Sequence, residues 1–153
     1  MQGLKIHHHI SGHDLPMDLL FLADPSLEMI AGYLHQCEVF IATLNDEEIA
    51  CYALLAHDKF LIEIKNLSVR ELYQRKGIGT ILINDAIERA RELGYQKIRI
   101  CTGNSSLRQL HLYQKLGFNK VEVLEGFFRD NYSEPIFENG MECVDLIVLE
   151  KMI

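Results

Sequence analysis

The chain has 153 residues, enough for one domain with a substantial core and too few for two comfortable ones. Hydrophobic residues make up 48% of it, which excludes a disordered chain, and the net charge of −7 argues against nonspecific binding of DNA or RNA. No apolar run approaches a membrane span and the N-terminus lacks a signal-like stretch, so a soluble, cytoplasmic protein without nucleic-acid or membrane partners is expected.

Leu4 to Ile10 reads as a short first strand. Its His7, His8 and His9, with His13 nearby, do not suggest a metal site, because adjacent histidines on a strand point to alternate faces. Pro16 to Ala23 and Ser26 to His35 read as two helices, with Pro25 at the start of the second and Asp24 as its cap. Glu38 to Leu44 and Ile49 to Ala56 are strand-like runs around a hairpin turn at Asn45-Asp46-Glu47-Glu48. Phe60 to Val69 follows as a fourth strand, which closes an antiparallel meander.

The pattern then changes. Gly79 to Leu93 is helical, with apolar residues at Ile78, Leu82, Ala86, Ala90 and Leu93 and a stop at Gly94. Lys97 to Thr102 is a fifth strand. Leu107 to Leu116 is another helix, started by Asn104-Ser105-Ser106 and ended by Gly117. Phe118 to Leu124 and Cys143 to Lys151 supply two more strands, separated by an aromatic, acidic loop from Phe127 to Gly140. The four cysteines (Cys37, Cys51, Cys101, Cys143) show no CxxC spacing and read as reduced thiols, three of them inside apolar strand-like runs. The order β-α-α-β-β-β-α-β-α-β-β predicts a single α/β (α+β) domain over residues 1–153, built on a mixed sheet.

The segment from Leu67 to Thr80 carries the chemistry. A strand ends, a loop follows, and Gly77 and Gly79 stand at the mouth of an amphipathic helix. Free N–H groups and the helix dipole make such a start an anion site, and glycine lets a bulky oxyanion approach the backbone. Arg70, Arg75 and Lys76 add positive charge in an otherwise acidic chain. A nucleoside-triphosphate loop would need a lysine after Gly79, and a dinucleotide fingerprint a third small residue where Leu82 stands. The plainer reading is two glycines that only ease a tight turn.

Gln74-x-x-Gly77-x-Gly79 resembles the pyrophosphate-binding signature of the GNAT acetyltransferases, and Asn66-Leu67-Ser68-Val69 looks like the end of that family's fourth strand. Leu112-Tyr113-Gln114-Lys115-Leu116-Gly117-Phe118 is similar to a second family segment, in the family's order. Together they cover roughly residues 36 to 125. Thr102 to Ser106, with Pro135 to Gly140, resembles a subgroup of small bacterial members of poorly defined substrate.

The resemblance implies a GNAT fold, its mostly antiparallel sheet splayed between the fourth and fifth strands, and acetyl-CoA as cosubstrate. Backbone amides of Arg75, Lys76, Gly77, Ile78, Gly79 and Thr80, after Gln74, would hold the pyrophosphate. Leu67 and Val69 would pair with the pantetheine arm like an added strand, an N–H near Leu67 would polarise the thioester, and Asn104 and Ser106 would lie along that arm. The implied reaction is direct attack by a small-molecule amine, with Tyr113 as general acid and Glu63 as general base, and no metal. The alternatives are a non-catalytic acyl-CoA-binding module and a protein or peptide N-acetyltransferase. Leu27 to Tyr33 and Phe127 to Tyr132 suit either an acceptor pocket or a subunit interface, and a homodimer through the late strands is the implied oligomer.

Overall fold

The structure, a computed structural model, describes residues 1–11 and 13–153. The chain runs β1 (Lys5–His8), α1 (Met17–Ala23), α2 (Leu27–Tyr33), β2 (Cys37–Leu44), β3 (Glu47–Ala56), β4 (Leu61–Val69), α3 (Ile78–Glu92), β5 (Lys97–Gly103), α4 (Leu107–Lys115), β6 (Asn119–Leu124), α5 (Phe127–Asn131), β7 (Ile136–Glu138), β8 (Met141–Cys143) and β9 (Leu146–Met152). Short 3-10 turns at Leu34–Gln36 and Glu71–Tyr73 follow α2 and β4. Among the described residues no helix is long and apolar enough to cross a membrane.

Seven strands form one sheet in the order β1-β2-β3-β4-β5-β9-β6. β4 and β5 are parallel and every other neighbouring pair is antiparallel. The sheet is therefore mixed and mostly antiparallel, with helices on both faces. On one face, Tyr52, Ile62, Ile64, Ile98, Ile100 and Leu149 pack with Leu82, Ile83, Ala86 and Ile87 of α3 and Tyr113 of α4. On the other, Val39, Ile41, Cys51 and Ala53 pack with Leu19 and Leu20 of α1 and Ile30 and Tyr33 of α2. Covering both faces is why β3 is apolar without alternation from Ile49 to Leu54, all buried.

Local chemistry sets the boundaries. Asn45 and Asp46 have φ of 51° and 66°, and Leu44 pairs with Glu47, so the hairpin turn is two residues instead of the expected four. Ser26, not Asp24, caps α2: its hydroxyl accepts from Met29 N at 3.2 Å, while Asp24 accepts from Ser26 N. The apolar stripe of α3 is wider than the expected row, with Ile83 and Ile87 inside it. Leu93 falls past the last turn and is 61% exposed.

The segment expected as a loop from Phe127 to Gly140 is ordered instead. It contains α5 and most of the β7–β8 hairpin, whose turn at Asn139 and Gly140 repeats the two-residue geometry with φ of 55° and 72°. Cys143 belongs to β8, and β9 begins only at Leu146, because Asn104 Oδ1 draws off the N–H groups of Val144 (2.8 Å) and Asp145 (3.0 Å).

A bulge opens the centre of the sheet. β3 pairs Leu54 with Ile64 and Ala53 with Asn66, leaving Lys65 as an extra residue in β4. β4 pairs with β5 only from Leu61–Lys97 to Ile64–Ile100, so the pairing stops where the bulge begins. A bulge bends its strand and increases its twist. β5 meanwhile stays paired with β9 to Gly103, and β4 with β3 to Val69. The two central strands separate into a slot.

Candidate active site

One edge of the slot is the backbone of β4 beyond the bulge. Arg70 donates its N–H to Ile49 O at 2.8 Å, so the backbone groups of Ser68 and Asn66 also turn toward β3. Those of Leu67 and Val69 face the opposite way, into the slot. Among the described residues no strand pairs with that edge after Ile64. The Val69 carbonyl accepts from Gln74 Nε2 at 2.9 Å, which ties the loop after β4 to the strand.

The slot leads to the start of α3. Gly77 precedes the helix with φ of 82°, and Arg75 is also left-handed at 62°, so the loop curls and turns successive N–H groups outward. The first N–H groups of a helix lack partners within it. Gly79 has ordinary helical geometry, and a Cβ built there meets nothing within 4 Å. Neither backbone conformation nor packing requires glycine at that position, although glycine costs a helix about 1 kcal/mol relative to alanine. The open space above Gly77 and Gly79 is a cradle of the kind a pyrophosphate occupies. Arg75 and Lys76 are exposed beside it, with Lys76 Nζ 5.7 Å above the Tyr73 ring. Arg70, expected to add charge here, instead holds Asp18 at 2.7 Å and Glu48 O at 2.6 Å.

Tyr113 and Glu63 stand near the point where the strands part. Tyr113 is 6% exposed, on the α3–α4 side, with its ring 6.3 Å from that of Phe118. Burial, and secondarily the neighbouring Cys101, push its phenol well above the ordinary tyrosine value. Glu63, between the inward Ile62 and Ile64, points to the α1–α2 face and is 4% exposed. Its Oε1 lies 2.7 Å from His57 Nε2, and its other oxygen 3.9 Å from Lys65 Nζ. His57 is a partner the sequence reading missed. The hairpin register carries the signal: Leu55 faces Glu63, so His57 is two residues along, a diagonal neighbour on the same face. Burial first, then the Glu63 carboxylate, push the Cys101 thiol up to about 12, so it stays protonated and is unsuited to nucleophilic work.

Asn104 and Ser106 lie just beyond β5, with their side chains turned to the chain itself. Asn104 holds Val144, Asp145 and the carbonyl of Glu142; Ser106 donates to Glu138 at 2.6 Å. These contacts seat the α5–β8 excursion on the end of β5. Gly103 makes the fit possible, since a Cβ there would collide with Cys143 Sγ and press on Phe128. The excursion also reaches across the α1–α2 face: Tyr132 donates to Asp24 Oδ1 at 2.8 Å, and Tyr33 donates to Asp24 Oδ2 at 3.3 Å. Asn66 at the bulge then donates to the Tyr33 oxygen at 3.1 Å. Among the described residues no cluster of side chains is arranged to hold a metal ion.

Comparison with known proteins agrees with this geometry. The model of the acetyltransferase (GNAT) family matches residues 11–118. An uncharacterized N-acetyltransferase of Bacillus subtilis, YvbK, is 44% identical over 97% of this chain and 96% of its own. A GNAT family acetyltransferase from Elizabethkingia anophelis, solved with acetyl-CoA bound, is 47% identical over all of both chains, with a TM-score of 0.97. A Bacillus subtilis acetyltransferase solved with CoA is 42% identical over 98% of this chain and 99% of its own, with a TM-score of 0.91. A bulge-split β4–β5 slot, a glycine cradle at its mouth and these matches point one way: the chain is an acetyltransferase of the GNAT family.

Proposed function

We propose that the chain transfers an acetyl group from acetyl-CoA directly to the amine of a small molecule. The observation that carries this reading is the edge of β4 beyond Ile64, which no strand among the described residues pairs and which runs from the split beside Glu63 toward the loop before Gly77 and Gly79. N–H groups from Arg75 to Thr80 receive the pyrophosphate, after Gln74 has fixed the loop. The Leu67 and Val69 edge takes the pantetheine arm as an added strand, and an N–H there faces the thioester carbonyl. Asn104 and Ser106 serve by holding the slot's far wall.

Glu63 takes a proton from the incoming ammonium. Tyr113, which burial keeps protonated, returns one to the departing sulfur. The carboxylate and the phenol lie on opposite faces of the sheet at the split, as acceptor and leaving group do in a direct transfer. Two features support a small acceptor. The Tyr132–Asp24 bond ties the excursion to the α1–α2 turn, a closure that favours a compact acceptor over an extended chain. Asp24 and Tyr132, both partly exposed, together offer acid and aromatic surface, which suits an amine with an apolar portion.

The test is a turnover panel with acetyl-CoA and tyramine, phenethylamine, a peptide with a free N-terminus and a lysine peptide, read as loss of thioester absorbance. Turnover of the small amines and not the peptides is expected. Turnover confined to a peptide would overturn the acceptor assignment, and binding of acetyl-CoA without any turnover would favour a non-catalytic module.

A further inference from the structure

Acetyl transfer to an ammonium group releases a proton. The N–C bond forms, the C–S bond breaks, one amine proton ends on sulfur, and a second must leave for solvent at every turnover. If Glu63 takes that second proton, it must discharge it before the next cycle. Its carboxylate is almost sealed, with a side-chain exposure of 5%. His57, whose Nε2 hydrogen-bonds it at 2.7 Å, is 32% exposed.

We propose that His57 carries the reaction proton from Glu63 to solvent; the inference rests on the assignment of Glu63 as base. The neutral ring accepts the proton from the Glu63 carboxyl at Nε2, restoring the carboxylate. The resulting imidazolium then gives a proton to water. An imidazole is suited to the task because one ring nitrogen accepts a proton while the other gives one up.

The fold holds the ring in place. The His57 backbone N–H donates to Leu61 O at 2.9 Å, and Asp58 Oδ1 accepts from Phe60 N at 2.7 Å and Leu61 N at 2.8 Å. Those two bonds hold the Asp58 carboxyl below its ordinary value, so the turn keeps its brace across the working range. The other groups around the pair are committed or ill-suited. Lys65 of β4 stands 3.9 Å from Glu63, and Arg99 and Lys97 of β5 are paired with Glu150 of β9. Cys101 of β5 and, on the α2 side, Cys37 and Tyr33 are held protonated chiefly by burial. Among the described groups around Glu63, Cys101 is held protonated by burial and Lys65 lies beyond hydrogen-bond distance, whereas His57 combines a 2.7 Å hydrogen bond with access to solvent.

The experiment compares the intact chain with His57→Ala, His57→Gln and Glu63→Gln, using acetyl-CoA with tyramine and with water alone as acceptor. Glutamine keeps a hydrogen bond to Glu63 but cannot carry a proton. Both His57 variants should lose about tenfold or more in kcat with KM for acetyl-CoA unchanged. Added imidazole should restore His57→Ala and leave Glu63→Gln slow. A His57→Gln variant at full rate, or a His57→Ala variant that imidazole does not help, would overturn the relay. If Glu63→Gln itself runs at the normal rate, the base assignment falls first. If Glu63→Gln is slow while both His57 variants are fast, the base stands and the relay alone is lost.

Discussion

Tyr113 and Glu63, the acid and base of the mechanism we propose, lie buried on either side of one split strand pair. Burial keeps the Tyr113 proton in place, so its activity as an acid should persist up to and beyond pH about 10, the ordinary tyrosine value. A kcat–pH profile whose basic limb sits well below that value would assign the limb to another group. Tyr113→Phe keeps the ring against Phe118 and deletes only the donor. It should lower kcat by about a hundredfold while acetyl-CoA affinity is unchanged. Equal turnover would remove Tyr113 from the mechanism. His57 and Asn66 show what residue-level reading overlooks, since a buried carboxylate and its partner become visible only once the hairpin register is known.

Two elements build the site, and both are testable through their seams. The α5–β8 excursion is seated on β5 at Gly103, where a Cβ would strike Cys143 Sγ. Gly103→Ala should destabilise the fold by about 1–3 kcal/mol, as overpacking does. Cys143→Ala in the same chain should recover most of that loss, a non-additivity measured by a double-mutant cycle in urea. On the other face, Ser26→Ala removes the α2 cap and should cost about 1 kcal/mol.

Much of this was legible beforehand, and the reasons for the rest are physical. The 3-and-4 spacing of α3, the glycine stops at Gly94 and Gly117 and the tight meander are local signals, and the elements fall within a few residues of their predicted places. The excursion was missed because its strands are three residues long, although Asn139-Gly140 is a hairpin signal. The bulge at Lys65 left no mark in an alternating strand. The Tyr132–Asp24 bond joins residues far apart in the chain, beyond the reach of any periodicity.

At the scale of the whole molecule, four tyrosines share one linkage. Tyr33, Tyr52, Tyr113 and Tyr132 are all raised, each chiefly by burial. A group whose folded pKa exceeds its unfolded value gives full stability below the unfolded pKa and loses it as pH rises toward the folded one. The thiols of Cys37, Cys51, Cys101 and Cys143 are raised in the same way, so thermal stability should begin to fall above pH about 8.5 and fall steeply above about 10, as a series of melts would record. A flat profile to pH about 11 would contradict the shared burial of these phenols. The sheet also leaves β6 exposed along its length at one edge, with Val121 and Val123 open to solvent. A homodimer through this edge is the assembly we propose, and light scattering of the purified chain tests it.

The central claim is that the cradle at Gly77 and Gly79 and the β4–β5 slot receive acetyl-CoA, and isothermal titration tests it most directly. The intact chain should bind acetyl-CoA at micromolar Kd. Gly79→Trp, which fills open space without straining the helix, should abolish that binding while leaving the circular dichroism spectrum unchanged. Undiminished binding by a folded Gly79→Trp variant, or none by the intact chain, would mean that the cradle is only a turn.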